Sequence, residues 1–263
     1  MIKVNGFEVT QEHFPDNTLL TKAPLEKNEI SYIEWYYEND AELFTLICLR
    51  KHYGAKEMEL YMPYCPHARM DRVKHHADVF TLKYFAEVIN SLNFKRVIIC
   101  DPHSNVTSAL IDNCRIKSPE NYIERAIGRV EAAHDYKQAL IFYPDEGAMK
   151  RYSINLPYKY AFGIKRRDWE TGKIEGLDVA GCVDEIKDKV ILIVDDICSR
   201  GGTFYHSAKK LKELGAKEVY LYVTHCENTI LEGELLTSGL IEKVYTTNSI
   251  FTKEHEKIEV FEL

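Results

Sequence analysis

The residues best suited to chemistry lie in one continuous stretch, Val190-Ile-Leu-Ile-Val-Asp195-Asp196-Ile197-Cys198-Ser199-Arg200-Gly201-Gly202-Thr203. An apolar run, read as a strand over Val190–Val194, ends in two adjacent carboxylates, a turn of small residues and a segment with helical spacing. Where a parallel strand feeds a helix in this way, the ligand sits outside the strand's carboxyl end. The turn's backbone N–H groups and the helix N-terminus form an anion site, and Gly201 and Gly202 let the main chain approach a phosphate closely. Paired acids above a phosphate cradle suit a sugar phosphate. Asp195 and Asp196 would take ribose hydroxyls, while Ser199, Arg200, Gly201, Gly202 and Thr203 would take the 5′-phosphate.

The elements that must position this loop alternate along the chain. Further strands are predicted at Glu59–Met62, Arg96–Cys100, Ala139–Tyr143 and Glu218–Val223, each a near-continuous apolar run of the kind buried on both faces of a parallel sheet. Helices are predicted over Asp40–Tyr53, Ala77–Leu92, Asn121–Asp135 and Thr203–Leu214, where apolar residues recur at three- and four-residue spacing. Gly215 is placed as a helix C-cap. The alternation predicts an α/β protein with mainly parallel sheets flanked by helices. Residues 165–178 are polar, charged and aperiodic, which marks a candidate functional loop.

Composition narrows the class of partner. The 263 residues carry 34 Lys and Arg against 41 Asp and Glu, a net charge of −7. That balance argues against coating nucleic acid or an anionic membrane. No apolar run is long enough to span a bilayer, and Met1 to Gly6 contain no signal-peptide core. Seven cysteines, an odd number without a Cys-x-x-Cys pair, fit reduced buried thiols. The expectation is a cytoplasmic protein acting on small molecules.

Further motifs follow in order: Phe14-Pro15-Asp16, Ala68-Arg69-Met70-Asp71-Arg72, Asp101-Pro102-His103, Pro144-Asp145-Glu146-Gly147 and Lys165-Arg166-Arg167. Thr224-His225 and Thr247-Asn248-Ser249-Ile250 come near the end. The Asp195–Thr203 stretch looks like the ribose-phosphate loop of the phosphoribosyltransferase superfamily. The ordered set resembles the ribose-phosphate diphosphokinases, or phosphoribosyl pyrophosphate synthetases, from about Phe14 to Ile250. The resemblance implies two phosphoribosyltransferase-like domains, expected at 1–135 completed by 245–263, and at 136–244. It also implies a homo-oligomer of two or more chains. The implied reaction is magnesium-dependent transfer of diphosphate from ATP to the C1 hydroxyl of a ribose 5-phosphate unit, with release of AMP. Phe14 and Asp16 would lend an adenine contact to a neighbouring subunit. Arg69, Met70 and Asp71 would bind ATP, His103 would serve the magnesium–ATP site, and Asp145 would be a metal ligand beside it. Lys165 and Arg167, on a closing loop, would be the catalytic cations, matching the charge that builds on phosphoryl oxygens.

The sequence departs from the family's usual Asp-Asp-x-x-Asp-Thr-x-Gly-Thr loop, with Ser199 in place of the third Asp and Arg200 in place of the first Thr. An added guanidinium suits a more highly charged 5′ substituent, such as the diphosphate of ADP-ribose, whose product would enter NAD synthesis. ADP-ribose is therefore an alternative acceptor. Met70 stands for the usual Gln of the ATP motif, and Thr18 for the Glu after Phe-Pro-Asp. The chain is also shorter before Arg69 than the resemblance implies. Two other classes stay open. A phosphoribosyltransferase would use the same loop but would not need Arg69 and His103, and a synthetase-associated paralogue would not be catalytic.

Overall fold

The computed structural model describes residues 1–24, 31–54, 57–135, 137–167 and 174–263, with the side chains of 165–167, 174 and 175 outside the description. The chain forms two units, Met1–Ser118 and Pro119–Leu263. In the first, β1 (Ile2–Val4) and β2 (Phe7–Glu8) form a hairpin, and β3 (Thr10–His13) and β4 (Leu19–Lys22) form another. Then β5 (Tyr32–Trp35), α1 (Ala41–Tyr53), β6 (Glu59–Met62), α2 (Thr81–Ser91), β7 (Arg96–Cys100), α3 (Asn105–Leu110) and β8 (Cys114–Lys117) alternate. The sheet runs β2-β1-β5-β6-β7-β8, parallel from β5 to β8 and antiparallel around β1. The β-pleat sends every second residue to one face. Ile33, Trp35, Leu60, Met62, Val97 and Ile99 accordingly enter one core with Leu46 and Leu49 of α1 and Leu82, Phe85 and Ile89 of α2.

The second unit contains α4 (Glu120–Ala132), β9 (Leu140–Tyr143), α5 (Glu146–Tyr152), β10 (Tyr160–Arg167), β11 (Ile174–Gly181), β12 (Val190–Cys198), α6 (Gly202–Glu213), β13 (Glu218–Cys226), β14 (Val244–Thr247) and β15 (Ile258–Phe261). Its sheet runs β11-β10-β9-β12-β13-β14-β15 and is parallel except for the β10–β11 hairpin. Both faces are covered, which explains the unbroken apolar runs in the sequence. Ile191, Ile193, Val219 and Leu221 pack with Phe204, Ala208 and Leu211 of α6. Leu192, Val194, Tyr220 and Tyr222 pack on the other face with Ile123, Ile127 and Val130 of α4 and Ala148 and Tyr152 of α5.

Three expectations are corrected. The first concerns the boundary, which falls at Ser118–Pro119 rather than near 135. The apolar stripe of α4 belongs to the second sheet's core, and β14 and β15 extend that same sheet, so 245–263 completes the second unit and not the first. Secondly, β12 does not stop at Val194. It pairs with β13 as far as Cys198 opposite Cys226, which places Asp195 and Asp196 within the strand. Thirdly, the polar segment 165–178 lies largely in an antiparallel hairpin, with Lys165 opposite Leu177 and an irregularity between Arg166 and Arg167. Residues 168–173 lie outside the described residues. Among the described residues, no helix is long and apolar enough to cross a membrane. All seven cysteines are free thiols.

Candidate functional site

The turn at 199–203, the candidate phosphate loop, is held from below by packing. Gly201 adopts φ +81° at the N-cap of α6, a conformation that costs an L side chain. A Cβ there would also lie 2.9 Å from Leu235. Gly233 comes closer still, because a Cβ at that position would sit 1.9 Å from the Arg200 carbonyl oxygen. The short helical turn Asn228–Glu232 and the residues that follow it therefore form the loop's supporting wall. Gly202 differs, since a Cβ there would meet nothing within 4 Å. No side chain caps α6, whose first-turn N–H groups are oriented for an anion. Arg200 donates to Glu232 at 2.8 Å, with the two side chains 72% and 58% exposed.

Above the loop, Asp195 remains in contact with solvent but is crowded by protein. That crowding, followed by the like charge of Asp196 and a smaller contribution from Asp145, pushes its carboxyl pKa well above the usual range. The Asp196 N–H donates to the Asp195 carboxylate at 2.9 Å. Asp145 caps α5, its Oδ1 accepting the Ala148 N–H at 3.1 Å. The second unit thus brings Asp145, Asp195 and Asp196 into one electrostatic neighbourhood. Hard carboxylate oxygens of this kind suit magnesium, which takes one or two of them and completes its shell with water and phosphate. Beneath the loop, Cys198 lies against Cys226. The hydrogen bond between the two thiols, with burial, raises the Cys198 pKa well above its usual value, so no thiolate nucleophile is prepared there.

In the first unit the ATP-type motif follows β6. Arg69 and Met70 are exposed, whereas Asp71 is buried and accepts from Arg72 at 2.8 and 3.3 Å. Burial alone would raise the Asp71 carboxyl, but Arg72 and, more weakly, His103 hold it below its ordinary value. His103 is carried on the turn after β7, where Asp101 adopts φ +39° and its N–H donates to the Lys117 carbonyl at 3.1 Å. Phe14 and Asp16 occupy the tip of the β3–β4 hairpin. Phe14 is half exposed, and Asp16 accepts both the Thr18 hydroxyl at 2.7 Å and the Thr18 N–H at 3.0 Å, which lower its pKa. Lys165 and Arg167 lie on β10 by their backbone, and their side chains fall outside the described residues.

Sequence reasoning missed Arg151. It stands in the last turn of α5 with Nη1 3.6 Å from Asp196 Oδ2. The available signal was an arginine six residues after Asp145, on a helix too short to show an apolar period. Glu232, Gly233 and Leu235 were also missed, because their role depends on close approach across the fold.

Two outcomes follow from this geometry. Gly233→Ala is expected to destabilise by about 1–3 kcal/mol through overpacking, while Gly202→Ala leaves the Tm nearly unchanged; thermal unfolding of both variants checks the contrast. A carboxyl with a raised folded pKa binds its proton more tightly folded than unfolded, so its ionisation costs stability as pH rises. Asp195→Asn removes that cost. Its Tm should exceed wild type by about 2–4 °C at pH 8, with the gap closing near about pH 4, as read by unfolding across pH.

A model of the phosphoribosyl synthetase-associated domain matches residues 176–262. The chloroplastic ribose-phosphate pyrophosphokinase 2 of Oryza sativa subsp. japonica is 28% identical over 229 residues, covering 83% of this chain and 54% of that protein. This chain thus spans about half the length of that relative. The ribose-phosphate pyrophosphokinase of Bacillus subtilis (strain 168) is 28% identical over 229 residues, covering 85% and 69%. The crystal structure of phosphoribosylpyrophosphate synthetase from Mycobacterium smegmatis matches with a TM-score of 0.80 at 18% identity, over 97% of this chain and 86% of that one, which establishes a common fold. In its ordered motifs and its phosphoribosyltransferase-type α/β fold, this chain is similar to the ribose-phosphate pyrophosphokinases.

Proposed function

We propose that the protein transfers diphosphate from ATP to the C1 hydroxyl of a ribose 5-phosphate unit, releasing AMP. The observation that carries this is the seating of Asp195 and Asp196 on β12 directly before the uncapped N-terminus of α6. The N–H groups of residues 199–203 and the Thr203 hydroxyl hold the 5′-phosphate, and the two acids hold the ribose hydroxyls. Arg69 offers a planar fork to the ATP phosphates, and Asp71 and His103 belong to the same binding site. Asp145 supplies a carboxylate oxygen to magnesium, which provides charge neutralisation when bound. The C1 oxygen attacks the β-phosphorus, the bond from that phosphorus to the α,β-bridging oxygen breaks, and AMP departs with that oxygen. Lys165 and Arg167 stabilise the charge on the transferring group. Catalysis is then mostly positioning and cationic stabilisation. A cytoplasmic homo-oligomer belongs to the same proposal.

A second acceptor has one observation in its favour. Arg200 and Glu232 form an exposed pair beside the phosphate loop, of a kind worth about 0–1 kcal/mol. A second phosphate could therefore claim the guanidinium cheaply, as the diphosphate of ADP-ribose would. The test is AMP release from magnesium–ATP with ribose 5-phosphate and ADP-ribose offered separately. Turnover with ribose 5-phosphate is expected, and turnover with ADP-ribose alone would establish the second acceptor. Release with neither would contradict the proposal. Lys165→Ala should lower kcat by about 100-fold or more, and an unchanged kcat would remove Lys165 from catalysis.

A further inference from the structure

We infer that Arg151 is the positioning residue for the acceptor's ribose, acting through Asp196 without touching the reacting atoms. This rests on the diphosphokinase proposal for the same site. Successive residues of a strand lean to opposite faces, and Asp196 shares the parity of Leu192 and Val194, which pack toward α4 and α5. Arg151 reaches it from α5. Asp196 is 4% exposed, so its charge requires a partner in the protein. The Arg151 side chain, itself only 27% exposed, provides one at 3.6 Å. That is an ion-pair distance, so Arg151 bears on the charge and orientation of the carboxylate.

The guanidinium is in turn held by the core. Arg151 Nη1 donates to the Tyr152 hydroxyl at 3.3 Å, and its guanidinium carbon lies 5.5 Å from the centre of the Tyr152 ring. Tyr152 is buried and stacks on Tyr143 of β9 at 6.4 Å. One short helix thus carries two functions. Its N-cap, Asp145, presents a carboxylate, and its last turn presents the cation that fixes Asp196. A shift of α5 would disturb both groups together.

The experiment compares Arg151→Gln and Arg151→Lys with wild type by initial rates of AMP release, varying acceptor and ATP in turn. Arg151→Gln should raise the acceptor KM about tenfold or more, a difference of about 1.4 kcal/mol, with the ATP KM within about twofold; Arg151→Lys should recover most of the loss. The Arg151→Gln effect should also disappear in an Asp196→Asn background, since residues acting as a unit are not additive. Equal changes in both KM values, or no rescue by lysine, would make the residue merely structural and overturn the inference. Calorimetric titration of ribose 5-phosphate without ATP separates this from the parent proposal. If wild type binds the sugar phosphate but releases no AMP, the diphosphokinase proposal fails, and tenfold weaker binding by Arg151→Gln still supports the role of Arg151. Equal binding by the two proteins, or none by wild type, overturns it.

Discussion

A strand covered on both faces has nowhere to place charge except at its end, and β12 obeys that constraint. Leu192 and Val194 fill one core while Ile191 and Ile193 fill the other, so the first residues free to be polar are Asp195 and Asp196. The backbone pairing with β13 nevertheless runs on to Cys198. The acids are therefore mounted on paired strand rather than on loose loop. Rigid mounting is what a binding constellation needs. It also has a cost, because like charges are crowded together and Asp195 holds its proton unusually tightly.

The same constraint explains which parts of the fold were legible in the sequence. Doubly buried strands such as β9, β12 and β13 announce themselves as apolar runs, and α4 and α6 as apolar stripes. The N-terminal hairpins did not, since Thr10–His13 is exposed throughout and Phe7–Glu8 is too short to show a pattern. The β10–β11 hairpin was hidden by its charged residues, which alone read as a loop. The domain boundary was misplaced because periodicity shows that α4 has an apolar face without showing which sheet that face meets.

At the candidate site, the residues whose side chains carry recognisable chemistry were readable, and those that act by shape were not. Asp195, Asp196 and the glycine turn carry their chemistry in their types and order. Gly233 looks like any other glycine until the Arg200 carbonyl is found against it. Arg151 likewise gains meaning only when the end of α5 is brought beside β12. Arg200 was singled out from sequence, and the structure adds its exposed partner, Glu232. The pair marks the place where this loop differs from the pattern of the family it resembles.

The claim on which everything else rests is that residues 199–203 hold the acceptor's 5′-phosphate. Backbone amide NMR of the isotopically labelled protein, titrated with ribose 5-phosphate, tests it without requiring turnover. The expected result is saturable shifts concentrated at Ser199 to Thr203 and at Asp195 and Asp196, because N–H groups that take up a phosphate change their environment directly. Saturable shifts elsewhere that leave the amides of Ser199 to Thr203 unmoved would contradict the assignment of the loop.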